Sequence, residues 1–238
     1  FFYLNNENLI LAQKFWPGPI TLILKRKSKK IPEKMTKNNL CAVRIPNNSF
    51  TLSVIKQVKC PIVMPSANRF KKLSPVNAKM VFDQFLNTNL IIIDDKKCKV
   101  GLESTLIKII NNKLEILRPG KINILNIRKF LPYIENIKLK SNKSFSGSSK
   151  KHYSPRKKLY LNQSHIKKNS AFINFGKNKK GQFKNLSEKG NLIEAAKNLY
   201  HYIFLADKSK KYASISVSPI PNKDIGIAIN DRLKRASK

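Results

Sequence analysis

The chain has 238 residues, of which 41% are hydrophobic, so it has the length and apolar content for a core of its own, which excludes an intrinsically disordered protein. Lys and Arg number 48 against 13 Asp and Glu, which gives a formal net charge of +35 and predicts attraction for anions. The excess is mostly Lys spread along the whole chain. A dedicated nucleic-acid surface is typically clustered and richer in Arg, so this distribution favours a general compositional bias.

No apolar run approaches the roughly 20 residues of a membrane-spanning helix, which predicts a soluble protein with no membrane contact. Two of the three cysteines, Cys41 and Cys60, lie in apolar runs and are predicted to be small buried residues, which suits the reducing cytoplasm. The three cysteines are widely spaced without a CxxC pair, and no His or carboxylate cluster has metal-ligand spacing, so no metal site is predicted. The chain begins with Phe1 and enters a helical pattern almost at once. We therefore expect that an N-terminal part of the first domain is missing.

The first elements predicted are a helix and two strands. Residues 4–16 have helical spacing and are followed by a strand at 20–24, and residues 40–46 form a second strand that is nearly all apolar. Arg44 is unusual in that strand, because burying a guanidinium is costly unless it meets an anion. Two interpretations remain open: an arginine that reaches solvent or a structural carboxylate, and a fork that holds a ligand carboxylate.

Two further apolar runs, at 61–64 and 90–93, have the length of buried strands. The first ends at the small polar residues 65–68, which suit an exposed strand end where a ligand binds. Ser74 and Pro75 then have the character of an N-cap and a first helical residue. The free N–H groups of such a helix start favour an anion such as phosphate, although an ordinary capped helix explains the same residues.

A β-hairpin is predicted around the two-residue turn Asn111-Asn112. If residue 110 faces residue 113, Lys108 lies opposite Glu115, which is a favourable cross-strand pair.

The same register places Thr105 opposite Arg118, so Ser104 and Arg118 meet at the open end of the hairpin. A hydroxyl and a guanidinium beside a glycine form a reasonable anion contact, although a plain hairpin end explains the same residues.

The C-terminal third has the pattern of a small α/β domain. A Ser, Lys and Gly-rich stretch at 140–151 is the best linker candidate, and it is followed by the aromatic pair His152-Tyr153. Beyond it, strand patterns alternate with helical patterns, at 159–161, 170–175, 191–205, 212–217 and 226–234.

Seven of these motifs occur in an order that resembles the threonylcarbamoyl-AMP synthase family: Phe15-Trp16-Pro17-Gly18-Pro19-Ile20-Thr21, Val43-Arg44-Ile45-Pro46, Pro65-Ser66-Ala67-Asn68, Ser74-Pro75, Gly101-Leu102-Glu103-Ser104-Thr105, Leu117-Arg118-Pro119-Gly120 and His152-Tyr153-Ser154-Pro155. Residues 226–233 resemble the end of the accessory domain of the two-domain bacterial and archaeal form. The resemblance implies an α/β protein, with a YrdC-like twisted mixed sheet and flanking helices followed by a small Rossmann-like α/β domain. We expect the YrdC-like domain at 1–139, a linker or lid at 140–157 and the accessory domain at 158–238.

The resemblance also implies a reaction, in which a nucleotidyltransferase converts L-threonine, bicarbonate and ATP, with Mg²⁺, into threonylcarbamoyl-adenylate and pyrophosphate. The product would be used by a separate tRNA-modifying threonylcarbamoyl transferase. No protein nucleophile is implied, so catalysis would rest on positioning and electrostatic stabilisation. The family's N-terminal segment, with further ATP-site residues, is absent, which raises the expectation that this polypeptide is an inactive fragment.

The resemblance assigns the family's binding residues to the positions of this chain that match its motifs. Residues implied to contact L-threonine are Arg44, Met64 and Ser104. Residues implied to contact ATP are Leu40, Ser66, Ser74, Arg118 and Lys150, and those implied to order loops are Asn68 and Tyr153. Two of them depart from the family pattern, since Leu40 stands where a threonine is common and Lys150 where a tyrosine is common.

Two rival functions are compatible with the composition or the fold. A non-catalytic RNA-binding protein with a YrdC-like fold would contact tRNA or duplex RNA directly, with a steep salt dependence and no need for Arg44 or Ser104. Carbamoyl transfer in hydrogenase maturation is disfavoured, because proteins of that kind carry additional zinc-finger and acylphosphatase-like regions.

Overall fold

The computed structural model describes residues 1–134, 137–139 and 152–238, which divide into two compact units. Unit 1 contains residues 1–64 and the described residues from 103 to 139, and unit 2 contains residues 65–102 and 152–238. The predicted first domain includes residues 65–102, whereas the structure groups this segment with the C-terminal residues. Most of the predicted linker lies outside the described residues.

The described chain contains six α-helices, one 3-10 helix and ten strands. In chain order they are β1 (Phe2–Tyr3), α1 (Asn6–Phe15), β2 (Ile20–Arg26), the 3-10 helix (Glu33–Met35), β3 (Leu40–Val43), α2 (Ser49–Val58), α3 (Ala78–Phe82), β4 (Thr105–Ile110), β5 (Lys113–Arg118), α4 (Ile124–Arg128), β6 (Ile137–Leu139), β7 (Lys158–Tyr160), β8 (Ser170–Asn174), β9 (Lys184–Asn185), α5 (Leu192–Lys208), β10 (Ser214–Val217) and α6 (Ile225–Ala236).

Unit 1 is built on a six-stranded mixed sheet in the order β1-β2-β4-β5-β6, with β3 also paired to β2. The β2–β4 and β5–β6 pairs are parallel, and the other pairs are antiparallel. Apolar residues of β2, β4 and β5 pack with α1 and α4 into one core, which includes Leu11, Ile20, Ile107, Leu114 and Ile127. The predicted α/β class and the mixed sheet are confirmed.

Two of the strands predicted from apolar runs do not form. Residues 61–64 and 90–93 have no regular structure, and Val63 and Ile91 are 67% and 88% exposed. An apolar run becomes a strand only when a neighbouring strand accepts its hydrogen bonds, and neither segment has such a neighbour in the described part of the chain.

The predicted helix start at Ser74 is also wrong. The helix α3 begins at Ala78, and its cap is Asn77, whose side chain accepts a 2.9 Å hydrogen bond from the Met80 N–H. Val76 enters the core of unit 2 and is 2% exposed, so the segment after Ser74 is held by burial in a non-helical path. Ser74 is itself buried and does not cap a helix.

Unit 2 is a four-stranded parallel sheet in the order β7-β10-β8-β9. The helices α5 and α6 bury long apolar faces in its core, and α5 begins after the cap Asn191, which accepts hydrogen bonds from two main-chain N–H groups. Leu73, Val76 and Met80 complete the same core, which is why residues 65–102 belong to this unit. The small α/β domain predicted from the C-terminal pattern is confirmed.

Candidate active site

The hairpin of β4 and β5 holds the clearest group of predicted site residues. Its two-residue turn is Asn111-Asn112, with φ angles of 49° and 55°, as the sequence predicts. These positive angles match a type I′ turn, which asparagine tolerates better than most residues. Lys108 lies opposite Glu115, so the predicted register is confirmed over this part of the hairpin.

The open end of the hairpin has a different register. An irregularity between Leu106 and Ile107 places Arg118 opposite Leu106, so the predicted pairing of Arg118 with Thr105 is wrong. Arg118 nevertheless reaches Ser104, because its Nε donates to the Ser104 carbonyl and a terminal nitrogen donates to Oγ, both at 3.1 Å. The predicted meeting of these two residues is confirmed.

Thr21 fixes the Ser104 hydroxyl from the other side. Its Oγ1 lies 2.6 Å from Ser104 Oγ, and both residues are buried. The contact arises because β2 and β4 are parallel, with Ile20 paired to Thr105, so the two hydroxyls lie at the same end of neighbouring strands. Thr21 was not among the predicted contacts, although it ends the quoted motif of residues 15–21 and is a polar residue at the second position of a buried strand.

The loop after Arg118 is closed tightly against β4. Thr105 Oγ1 donates to the Ile122 carbonyl at 2.8 Å and accepts from the Ile122 N–H at 3.1 Å. A Cβ atom on Gly120 would lie 2.5 Å from the Thr105 nitrogen, so this close approach requires glycine. The end of the site that carries Arg118 is therefore rigidly supported.

The loop of residues 17–19 connects the strands around the site. The Gly18 N–H donates to the Ile45 carbonyl at 2.9 Å, and the Pro19 carbonyl accepts from the Thr105 N–H at 3.0 Å. These bonds place the residues that leave β3, which include Arg44, beside the start of β4.

Arg44 follows the last residue of β3, so the predicted strand at 40–46 extends too far, and its side chain is exposed, which is compatible with the open interpretation of an arginine that reaches solvent. Among the described residues it has no hydrogen-bond or ion-pair partner, which disfavours the interpretation that it serves a structural carboxylate. Partial desolvation, together with the positive charge of nearby Arg118, lowers the pKa of Arg44 from its ordinary value. An arginine stays protonated at neutral pH, so two like charges face this region and favour an anion between them.

The backbone groups of Leu40, a predicted ATP contact, are hydrogen-bonded within the protein. Its N–H donates to the Lys37 carbonyl at 3.0 Å, and its carbonyl accepts from the Lys37 N–H at 2.9 Å. Its side chain packs against the buried residues Ile23, Leu106 and Leu117. The contact of Leu40 with ATP stays a prediction.

Ser66, Asn68 and Ser74 lie in unit 2, and Met64, which is 63% exposed, ends the first segment of unit 1. Asn68 Nδ2 donates to the Arg69 carbonyl at 2.9 Å, and the Asn68 N–H donates to the Ser66 carbonyl at 2.9 Å. These bonds are of the kind expected for a residue that orders this loop. Lys150 lies outside the described residues.

Tyr153 is buried in unit 2 between an aromatic ring and a cation. Its ring stacks on Tyr200 with the centroids 5.7 Å apart, and the Arg232 guanidinium lies 5.3 Å from its centroid. The Arg232 side chain is fully buried and forms a 2.7 Å ion pair with Asp231. Sequence reasoning singled out Tyr153 but missed Arg232, because a basic residue in a helical pattern is typically taken as solvent-exposed.

Two negative findings concern only the part of the chain that the structure describes. No three or more His, Cys, Asp or Glu side chains are grouped so that they could hold a metal ion. No described helix has the length and apolar character needed to cross a membrane.

These features define an α/β protein in which a fixed hydroxyl and two arginines lie together at one end of the sheet, an arrangement that favours an anion. The family model described as "Telomere recombination" matches residues 1–120, and the model described as "Threonylcarbamoyl-AMP synthase, C-terminal domain" matches residues 122–238. The chain therefore belongs to the threonylcarbamoyl-AMP synthase family, which makes it an enzyme of the nucleotidyltransferase type.

Individual relatives agree with this assignment. The threonylcarbamoyl-AMP synthase of Pyrococcus abyssi is 29% identical, over 97% of this chain and 74% of its own length. The enzyme of the same name from Bacillus subtilis is 26% identical, over 95% of this chain and 72% of its own length. The crystal structure of P. abyssi Sua5 complexed with L-threonine superposes with a TM-score of 0.84 at 26% identity, over 99% of this chain and 75% of that one.

Proposed function

We propose that this protein joins L-threonine, bicarbonate and ATP to form threonylcarbamoyl-adenylate and pyrophosphate. The observation that carries the proposal is the buried Ser104 hydroxyl held beside Arg118, with the unpaired Arg44 close enough for its pKa to respond to the Arg118 charge. All three substrates bear negative charge, which suits this cationic end of the sheet. The P. abyssi relative in complex with L-threonine supports threonine as the amino-acid substrate.

Arg44 is the proposed partner of the threonine carboxylate. A guanidinium binds a carboxylate through two parallel hydrogen bonds, and Arg44 has no competing partner among the described residues. Ser104 is the proposed second contact, because Thr21 and Arg118 fix its hydroxyl in one position. Met64 is proposed to contact threonine through its backbone.

Arg118 is the proposed contact to the ATP phosphates, as a permanently charged group on a rigid hairpin end. Four further residues remain proposed ATP contacts: Leu40, Ser66, Ser74 and Lys150. The described residues hold no cluster of metal ligands, so Mg²⁺ would enter on the triphosphate as part of the MgATP substrate.

The proposed chemistry needs no protein nucleophile. The threonine amine forms a C–N bond with the carbon of bicarbonate, and water leaves, which gives a carbamate. A carbamate oxygen then attacks the α-phosphorus of ATP, the bond from that phosphorus to the bridging oxygen breaks, and pyrophosphate leaves. Arg44 would hold the amino acid in place, and Arg118 would stabilise the charge on the phosphates during transfer.

The proposal extends to what happens to the product. Threonylcarbamoyl-adenylate is a reactive mixed anhydride, so a separate enzyme must consume it, and we propose a tRNA-modifying threonylcarbamoyl transferase in the cytoplasm. The net charge of +35 would attract tRNA or duplex RNA, but its even spread along the chain favours no dedicated RNA surface.

The test is pyrophosphate release by the full natural polypeptide from ATP and bicarbonate, with and without L-threonine. We expect threonine-dependent release, and the Arg44→Ala variant should lose at least about tenfold in kcat/KM for threonine because the carboxylate contact is removed. Arg128→Ala is the matched control, since Arg128 is an exposed arginine in the last turn of α4.

Two outcomes would contradict the proposal. Equal activity in the Arg44→Ala and Arg128→Ala variants would remove Arg44 from the site. A folded protein that releases no pyrophosphate but binds tRNA with a steep salt dependence would favour the RNA-binding alternative.

A further inference from the structure

Unit 2 contains a cavity of about 400 Å³, which is a size typical of small-molecule sites. None of the residues that line it is a predicted contact of threonine or ATP. Its wall combines basic side chains, two carboxylates, a buried serine and an apolar side that includes Phe204.

The carboxylates of the wall are already neutralised. Asp83 pairs with Lys208, and Asp207 accepts hydrogen bonds from the Arg156 and Lys157 N–H groups, both at 2.9 Å, and from the Arg156 side chain. Each carboxylate therefore has its own cation from the same wall. Four basic side chains line the cavity against two acidic ones, so positive charge remains after these pairs form.

The remaining charge comes from Arg69 and Lys72. The Arg69 Nε donates to the Gln84 carbonyl at 2.7 Å, which fixes the guanidinium and leaves its two terminal nitrogens for another acceptor. The Lys72 ammonium has no hydrogen-bond or ion-pair partner in the described ranges of the chain. Two cations on one loop favour an anion with several oxygens.

Ser154 provides independent support for a ligand. It is only 7% exposed, it lines the cavity, and its Oγ has no hydrogen-bond partner among the described residues. Its N–H donates to the Lys71 carbonyl at 2.9 Å, so the residue is fixed beside Lys72. A buried hydroxyl without a partner costs roughly 1–3 kcal/mol, and a ligand oxygen would remove that cost.

We propose that this cavity binds a phosphate-bearing small molecule of mononucleotide size. The phosphate accepts hydrogen bonds from Arg69, Lys72 and Ser154, and the less polar part of the ligand packs against Phe204. A cavity of 400 Å³ is larger than a single inorganic phosphate requires, and its apolar wall gives the rest of the molecule a place to pack. This inference does not depend on the proposed synthase reaction.

The experiment is isothermal titration calorimetry of the full protein with AMP, inorganic phosphate and adenosine as probes. We expect AMP to bind more tightly than phosphate, adenosine to give no measurable binding, and added salt to weaken the AMP affinity. The double variant Arg69→Gln/Lys72→Gln should weaken AMP binding at least about tenfold, since two charge-assisted hydrogen bonds are lost. Lys189→Gln, a change at an exposed lysine outside the cavity, is the charge control.

Two further variants separate this cavity from unit 1 and from folding defects. Arg118→Gln, a change in unit 1, should weaken any AMP binding at the proposed ATP site and should keep the binding event that the Arg69→Gln/Lys72→Gln variant loses. Ser154→Ala should weaken AMP binding by about threefold without lowering resistance to urea, because Oγ makes no hydrogen bond that folding would lose. A serine with only a structural role would show the opposite pattern.

Several results would overturn the proposal. They are the absence of AMP binding, equal binding of AMP and adenosine, and AMP binding that survives in the Arg69→Gln/Lys72→Gln variant but is lost in Arg118→Gln. Binding of tRNA that needs Arg69 and Lys72, with no competition from AMP, would reassign these cations to an RNA surface.

Discussion

The helices α2 of unit 1 and α5 of unit 2 differ in what they bury. Both begin after an asparagine, Asn48 and Asn191, whose side chain accepts a hydrogen bond from a main-chain N–H of the first turn. On α5, Leu199 and five other residues are buried in the core of unit 2, whereas no residue of α2 is buried. The local signals for a helix are equally good in the two places.

The formation of a helix and its contribution to stability therefore have different causes. An amphipathic sequence with a cap favours a helix, but the burial of its apolar face depends on a surface that accepts it. The helix α6 and the strands β8 and β10 supply that surface to α5. The apolar side chains of α2, such as Phe50 and Val58, remain about half exposed.

The largest expected effect is a matched leucine truncation in the two helices. Leu199→Ala should lower the free energy of unfolding by about 3 kcal/mol, because it opens a cavity in a closed core. Leu52→Ala on α2 removes a half-buried side chain and should cost less than about 1 kcal/mol. Urea unfolding followed by far-UV circular dichroism measures both, and equal shifts would show that α2 is as tightly packed as α5.

Several features set by local sequence were predicted correctly, although the helix α2 with its local cap Asn48 was not predicted and the cap expected at Ser74 was wrong. The turn Asn111-Asn112, the pair of Lys108 with Glu115 and the helix that begins after Asn191 depend on φ angles, residue spacing and side-chain caps within a few residues. The meeting of Ser104 and Arg118 followed from the same hairpin geometry. These parts of the fold and of the site could be derived from the chain alone.

Features set by distant neighbours were not predicted. The contact of Thr21 with Ser104 depends on the parallel pairing of β2 with β4, which brings together residues 83 positions apart. The bulge that moved Arg118 opposite Leu106 has no local signal. The run at 61–64 is apolar enough for a buried strand, but apolar composition alone does not supply the partner that a strand requires.

A smaller effect is expected at the hairpin turn, where local sequence alone determines the structure. Asn112 has a φ of 55°, so Asn112→Val should destabilise unit 1 by about 1–2 kcal/mol, because a β-branched residue is strained there. Asn112→Gly is the control and should cost nothing, since glycine adopts this angle freely. The single tryptophan, Trp16, lies in unit 1, so its fluorescence during urea unfolding reports on that unit. A loss as large for glycine as for valine would mean that the asparagine side chain, and not the backbone angle, holds the turn.

The smallest expected effect is a pH dependence of the stability of unit 2. His201 lies on α5, where partial burial, and then the charges of Lys97 and Lys184, lower its pKa below the ordinary value. The unfolded chain therefore binds a proton more readily than the folded protein, so stability should fall as the pH drops below about 6.5 towards the folded-state pKa. His201→Gln should remove this part of the decrease between pH 7 and pH 5, measured as the urea midpoint at each pH.

His165, an exposed histidine of the same unit, is the matched control, and His165→Gln should keep the pH dependence of the parent. If both substitutions had the same effect, the decrease would come from the general net charge of +35 and not from the buried face of α5.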